Sequence, residues 1–238
     1  MSSLLPNTFA PHINKATIQE LPLTFFEGEV IIVDKPDMVA DAAAYLCQHA
    51  VLGVDTEARP SFKRGVHYPT ALVQISTLDR CYLFRLTHVG LPVEIAAIFA
   101  NPDICKVGLA FKDDINGLRR RRDFKPTNCI DLQSIVCKYG IMELGLQKIF
   151  AIIFGKKISK AQQLTNWENS YLTPEQARYA STDAWATLSI YLALQQVKPL
   201  SKRAVEALKR VEREAQIQRQ QEAMAKKCLE NTSEASTI

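Results

Sequence analysis

Short apolar runs of strand length crowd the first half of this chain, and from Asp131 onward the spacing is helical. The β-branched run Val30-Ile-Ile-Val33 follows Glu29, and further runs stand at 51–55, 71–76, 81–84 and 104–109. Thr77-Leu-Asp-Arg80 has the length and composition of a hairpin turn, so the third and fourth strands are expected to be antiparallel to their neighbours. Helical spacing is predicted over 37–49, 92–100, 111–121, 131–138, 144–154 and 173–196, and over a long charged segment at 201–229. Strands early and helices late predict an α/β domain, a mixed five-stranded sheet flanked by helices, with a long C-terminal helix after it. The expected division is an N-terminal arm over 1–28, marked by Pro6, Pro11 and Pro22, a folded domain over 29–198, and a charged helix with a flexible tail over 199–238.

One of those strands ends in chemistry. Val51-Leu-Gly-Val54 is apolar, and Asp55-Thr-Glu57 follows at its C-terminal end. Residues two apart on a strand share a face, so the two carboxylates project side by side. Like charges that close repel unless a cation lies between them, and hard divalent cations take oxygen ligands. The spacing alone decides nothing, because Glu27/Glu29 and Glu212/Glu214 repeat it. Position separates Asp55 and Glu57, since ligands of open α/β sheets gather beyond the carboxyl ends of strands.

Two later stretches supply further carboxylates. The strand through Lys106-Val-Gly108 runs into a predicted helix that carries Asp113 and Asp114 in its first turn. On these residues alone, helix capping explains an aspartate there better than a metal role does. Tyr179 and Asp183 lie four apart on the helix after Pro174, a spacing repeated with glutamate at Tyr139/Glu143 and Tyr171/Glu175. Asp183 stands out because it sits among alanines, where an unpaired carboxylate is costly to bury.

The formal net charge of +4 permits a polyanionic partner without requiring one. Six cysteines without a Cys-x-x-Cys and four scattered histidines give a zinc site no support. Cys81, Cys105 and Cys129 lie in apolar runs and read as buried thiols of a reducing compartment. No apolar run approaches the ~20 residues of a membrane span, and no signal pattern opens the chain. A cytoplasmic protein with no membrane contact is expected.

Taken together, Asp55-Thr-Glu57 at a strand end, Asp114 after a Val-Gly strand and Tyr179-x-x-x-Asp183 on a late helix resemble the three motifs of the DEDDy 3′–5′ exonucleases. The resemblance is nearest to the ribonuclease D and Werner-syndrome exonuclease-domain type. It covers about residues 28–196 and extends to Asn166-Trp167, Leu172-Thr-Pro-Glu-Gln176 and Tyr179-Ala-Ser-Thr-Asp-Ala184. Counting from Val107-Gly108, and backwards from Leu118, favours Asp114 over Asp113 as the family's second-motif residue. The resemblance implies a ribonuclease H-like sheet and two divalent ions, Mg²⁺ or Mn²⁺, held by Asp55, Glu57, Asp114 and Asp183. It implies that Asp55 bridges both ions and that Tyr179 orients the attacking water. The implied activity is release of nucleoside 5′-monophosphates from nucleic-acid 3′ ends, on a single strand or a recessed duplex.

Phe62-Lys63-Arg64 fits contact with the terminal nucleotide and fits a solvated loop equally well. Arg119 to Arg122 reads as a solvated face with one or two phosphate contacts, Arg119 being the candidate. Ribonuclease D carries additional helical C-terminal domains that this chain is too short to hold, so DNA is favoured over RNA. The rival expectations are an RNA-trimming ribonuclease D-like enzyme, a catalytically inactive nucleic-acid-binding module of the same fold, and an assembly protein built around the 201–229 helix.

Overall fold

Val51, Gly53, Asp55 and Glu57 face one side of their strand while Leu52, Val54 and Thr56 face the other, and helices cover both sides. The computed structural model describes residues 9–63 and 65–235. The first eight residues of the expected arm, Arg64 and the last three residues of the expected tail lie outside these. The strands are β1 (Glu29–Val33), β2 (Val51–Ala58), β3 (Thr70–Ser76), β4 (Arg80–Arg85), β5 (Cys105–Gly108) and β6 (Cys129–Asp131). They form one sheet in the order β1-β4-β3-β2-β5-β6.

Two strand expectations need correction. The sheet has six strands, not five, because β6 adds a three-residue edge at the start of the stretch read as wholly helical. β3 is antiparallel to both β2 and β4, as the hairpin turn requires, but β4 runs parallel to its other neighbour, β1. A hairpin fixes the direction of its own two strands and leaves the outer pairing free. β5 lies parallel to β2, and β6 parallel to β5.

The helices are α1 (Lys15–Glu20), α2 (Val39–Leu46), α3 (Leu86–Val89), α4 (Val93–Ala100), α5 (Phe111–Arg121), α6 (Leu132–Ile135), α7 (Leu146–Phe154), α8 (Pro174–Gln195) and α9 (Lys202–Ala235). On one face α2, α4 and α5 bury Leu46, Phe99, Phe111 and Leu118 against Leu52, Val54, Val73 and Ile75. On the other, α8 lies over the sheet and joins two clusters. One contains Leu72, Leu83, Trp167, Ala180 and Ala184. The second contains Val107, Phe150, Ala186 and Ile190. Burial of this kind contributes roughly 1.5–3 kcal/mol for each large apolar side chain.

The arm packs on the domain. Phe9, Ile18 and Phe26 are buried, and the Phe26 N–H donates to Thr182 Oγ1 at 3.1 Å, beside Asp183 on α8. α9 belongs to a separate unit that begins at Pro199. It extends through the expected tail to Ala235, since no glycine or proline interrupts the stretch after Ser201. Among the described residues no helix is long and apolar enough to cross a membrane.

Candidate active site

A single glycine governs how close α8 comes to the sheet. A Cβ at Gly53 would stand 2.1 Å from the Ala184 carbonyl oxygen and 2.8 Å from Leu188 Cβ. With no side chain there, the α8 backbone lies directly on β2, and Asp183 comes beside Asp55 and Glu57. One carboxylate oxygen from each of these three residues lies within 4.8 Å of the others.

The start of α8 is fixed as firmly as its middle. Thr173 and Gln176 form a reciprocal capping box, with Pro174 in the first turn. The Gln176 amide also donates to Thr165 Oγ1 at 3.0 Å and to the Asn166 carbonyl at 3.2 Å. This ties the preceding loop to the helix and sets the buried Trp167 ring 6.0 Å from the Tyr179 ring. Tyr179 and Asp183 are both buried, one turn apart, and the tyrosine hydroxyl favours the ionised form of the aspartate.

Asp114 reaches the site from the other layer. It sits in the first turn of α5, and Thr56, which faces that layer, donates its hydroxyl to Asp114 Oδ1 at 2.5 Å. The turn into α5 puts Ala110 in the left-handed region, at φ 52°. Asp131 at the end of β6 secures it by accepting from the N–H groups of Ala110 (3.1 Å), Phe111 (3.0 Å) and Gln133 (2.9 Å). Asp113, next in the chain, lines a neighbouring groove.

These carboxylates resist ionising together. Burial pushes Glu57 up to about 9, and the charges of Asp183 and Asp114 push in the same direction. Asp55 is raised well above the usual carboxylate range by burial and then by Asp183, Asp114 and Glu57. Burial also carries Asp183 and Asp114 up to about 7, against lowering by the Tyr179 and Thr56 hydroxyls. The Tyr179 phenol rises well above its ordinary value through burial and the Asp183 charge, so it stays protonated at neutral pH.

The residues fit divalent cations. Carboxylate oxygens that converge and repel are hard anionic donors. Beneath them Gln74, the cross-strand neighbour of Asp55, is fully buried, and neither its amide oxygen nor its nitrogen has a partner among the described residues. A buried polar group left in that condition belongs beside a polar, hydrated site and not in an apolar core.

The pattern of the 3′–5′ exonuclease family matches residues 30–198. The chain belongs to the 3′–5′ exonuclease family. The bifunctional 3′–5′ exonuclease/ATP-dependent helicase WRN of Mus musculus is 28% identical over 193 residues, 76% of this chain; the chain spans 14% of that protein's length. The crystal structure of the Aedes aegypti Nibbler EXO domain is similar at a TM-score of 0.65 and 24% identity, covering 78% of this chain and 99% of that one. Trypanosoma brucei RNase D, solved in complex with RNA U12, is similar at a TM-score of 0.62 and 17% identity, covering 71% of this chain and 63% of that one. The exonuclease fold here is ribonuclease H-like.

The sequence-predicted residues fall in different places on this exonuclease domain. Asp55, Glu57, Asp183 and Tyr179 converge, and Asp114 approaches through Thr56. Phe62 stands 85% exposed on the loop after β2, while Lys63 lines the groove beside Asp114. Arg119 is not brought to the acidic set: it pairs with Asp123 at 3.1 Å and lines a separate hollow with Ile115 and Pro126.

Other residues escaped the sequence reading. Lys160 lines the carboxylate pocket, and its charge favours the ionised form of Asp183. It lies in an irregular stretch after α7, where no periodicity marks it. Thr56 was hidden as the middle letter of Asp-x-Glu. Asp131 carried a readable signal, an aspartate between an apolar run and a helix, which is the sequence form of an N-cap.

Proposed function

We propose that the chain is a metal-dependent exonuclease that hydrolyses the terminal phosphodiester of nucleic-acid 3′ ends and releases nucleoside 5′-monophosphates. The observation that carries this reading is the convergence of Asp55, Glu57 and Asp183 under Tyr179 in a cleft open to solvent. Asp55, Glu57 and Asp183 would hold two divalent ions, Mg²⁺ or Mn²⁺, with Asp114 completing the set. When bound, such ions neutralise the phosphodiester and acidify water.

The chain's own residues supply the rest. Tyr179, held protonated by burial, donates a hydrogen bond and positions the attacking water but cannot act as its base. Lys160, across the cleft, offers a cation to the phosphate. The water oxygen bonds to phosphorus as it gives up a proton to solvent, the bond from phosphorus to the 3′ oxygen of the preceding nucleotide breaks, and that oxygen takes a proton from solvent and leaves as a 3′-hydroxyl. Gly53 and the α8 cap keep these groups in place before substrate arrives, which is where much of the rate enhancement of such a site resides.

DNA is kept as the first reading, on the resemblance to the Werner-type exonuclease domain. RNA trimming is the second reading, supported by the similar fold of the RNA-bound T. brucei RNase D. The domain limits proposed are 29–198 for the exonuclease, with α9 as an appendage.

Incubation with 5′-labelled single-stranded DNA, 3′-recessed duplex DNA and single-stranded RNA, in Mg²⁺ or Mn²⁺, tests the activity and ranks the substrates. The wild type should give a ladder shortening from the 3′ end, and Asp183→Asn should give none. Retained cleavage in Asp183→Asn would remove this site from the reaction. Binding without cleavage by the wild type would favour the inactive binding module.

A further inference from the structure

The four consecutive arginines at the end of α5 divide among three tasks. Arg119 pairs with Asp123. Arg121 donates Nε to the Thr70 carbonyl at 2.5 Å and Nη1 to the Leu86 carbonyl at 3.2 Å. Arg122 donates Nε to the Leu91 carbonyl at 2.7 Å. These last two tie the helix to the start of β3 and the α3 region. Arg120 is exposed and makes no hydrogen bond or ion pair among the described residues.

Its position is specific. Asp113, Gly117 and Arg120 follow one another at helical spacing along a single face of α5, and that face lines a groove that contains Asp114 and shares Thr56 with the carboxylate cleft. The opposite wall carries Arg59, Lys63, His67 and Tyr68, with the Arg59 guanidinium 4.8 Å from the centre of the Tyr68 ring. Gly117 lets α5 close on Thr70 at the floor of the groove, where a Cβ would stand 2.4 Å from Thr70 Oγ1.

The cleft has a second flank, and the two differ in charge. Beyond Tyr179 the surface is mostly apolar, formed by Leu23, Phe25 and Ala161, with Arg178 offset by Glu175. Beyond Asp114, Arg59 pairs with Glu168 at 3.8 Å, which leaves Lys63 and Arg120 against Asp113, since Asp114 belongs to the acidic set itself. Both flanks carry an aromatic ring under an arginine, so the excess positive charge decides, and a phosphodiester strand is drawn to it.

We propose that the single strand leading to the scissile bond lies in this groove, with Arg120 on a backbone phosphate upstream of the cleaved one and Tyr68 available to a base. The proposal rests on the exonuclease reading, because it assigns the cleaved phosphate to the carboxylates. Arg120 lies six residues beyond Asp114, about 9 Å along the helix, too far to touch the reacting phosphate. It is a binding residue for longer strands only.

The test compares a dinucleotide, which has one phosphodiester and ends short of Arg120, with a labelled single strand of about 16 nucleotides. Kinetics are measured for wild type, Arg120→Glu and Lys125→Glu, the last placing the same charge change on an exposed residue of the loop after α5. Binding of the longer strand is measured by fluorescence anisotropy in the Asp183→Asn background, where nothing is cleaved.

Arg120→Glu should raise KM for the long strand about tenfold, the equivalent of roughly 1.4 kcal/mol, while dinucleotide turnover stays at the wild-type rate. The slope of log affinity against log salt should flatten by about 0.7, the value for one phosphate contact on a single strand. Lys125→Glu should change neither substrate. An unchanged KM and salt slope in Arg120→Glu would overturn the groove, and so would an equal loss on both substrates. Absence of cleavage by the wild type would instead overturn the exonuclease reading, and the anisotropy slope would still score the groove.

Discussion

Thr56 points away from Asp55 and Glu57, yet it brings the fourth carboxylate to them. Its hydroxyl holds Asp114 Oδ1 at 2.5 Å and lowers the Asp114 pKa against the effect of burial. Replacing Thr56 with valine keeps the β-branched shape and removes only that donor. Thr56→Val should lower cleavage by about 10–100-fold, as expected when a partner of a metal-binding group is lost, and excess Mn²⁺ should recover part of it. A titration of rate against metal concentration reads this directly; a wild-type curve would detach Thr56 from the site. The acidic residues and Tyr179 were legible because their types and spacing carry the chemistry. Thr56, Gln74 and Lys160 were not, because each is brought to the carboxylates only by the packing of α5, the pairing of β3 or the course of the 155–172 loop.

At the scale of elements, α8 on β2 is the contact that makes the site. Val51-Leu-Gly-Val54 reads as a strand from sequence, and the glycine looks like a weakness in it. The structure gives the reason: the helix backbone occupies the volume a side chain would need. Gly53→Ala forces α8 outward by whatever the 2.1 Å clash requires, which should cost about 1–3 kcal/mol of stability and move Asp183 away from Asp55. A misplacement of about 1 Å costs on the order of a hundredfold in rate, so activity should fall further than stability does. Thermal unfolding and kcat measured together decide this, and a wild-type kcat would show that the close approach is not needed. The strands at 29–33, 51–55, 71–76, 81–84 and 104–109 and the helices near 111–121, 144–154 and 173–196 were readable from period. β6 was not, since three residues are too few to show alternation and Asp131 both ends the strand and caps α6. The run of four arginines was misleading as a block: one faces the groove, one pairs with Asp123, and two serve the fold.

At the scale of the whole molecule, the site opposes the stability of the domain that carries it. Carboxylates that titrate near 4 in an unfolded chain are raised in the fold, Asp183 and Asp114 to about 7 and Glu57 to about 9. Between those limits the folded state binds more protons than the unfolded one, so stability falls as pH rises. The contribution is fully present below about pH 4 and is lost as pH passes through about 7 and then about 9. On the proposed reading divalent ions would take the place of the protons, so metal should stabilise most where the carboxylates are most ionised. The direct measurement is thermal unfolding of the metal-free protein across about pH 6 to 9, repeated with saturating Mn²⁺ and in Asp183→Asn. The metal-free Tm should fall across that range, by about 2–4 °C for each kcal/mol of repulsion, and Mn²⁺ should restore it at the alkaline end. Asp183→Asn should flatten both responses. A metal-free Tm that holds steady with pH and ignores Mn²⁺ would contradict a metal site at these carboxylates.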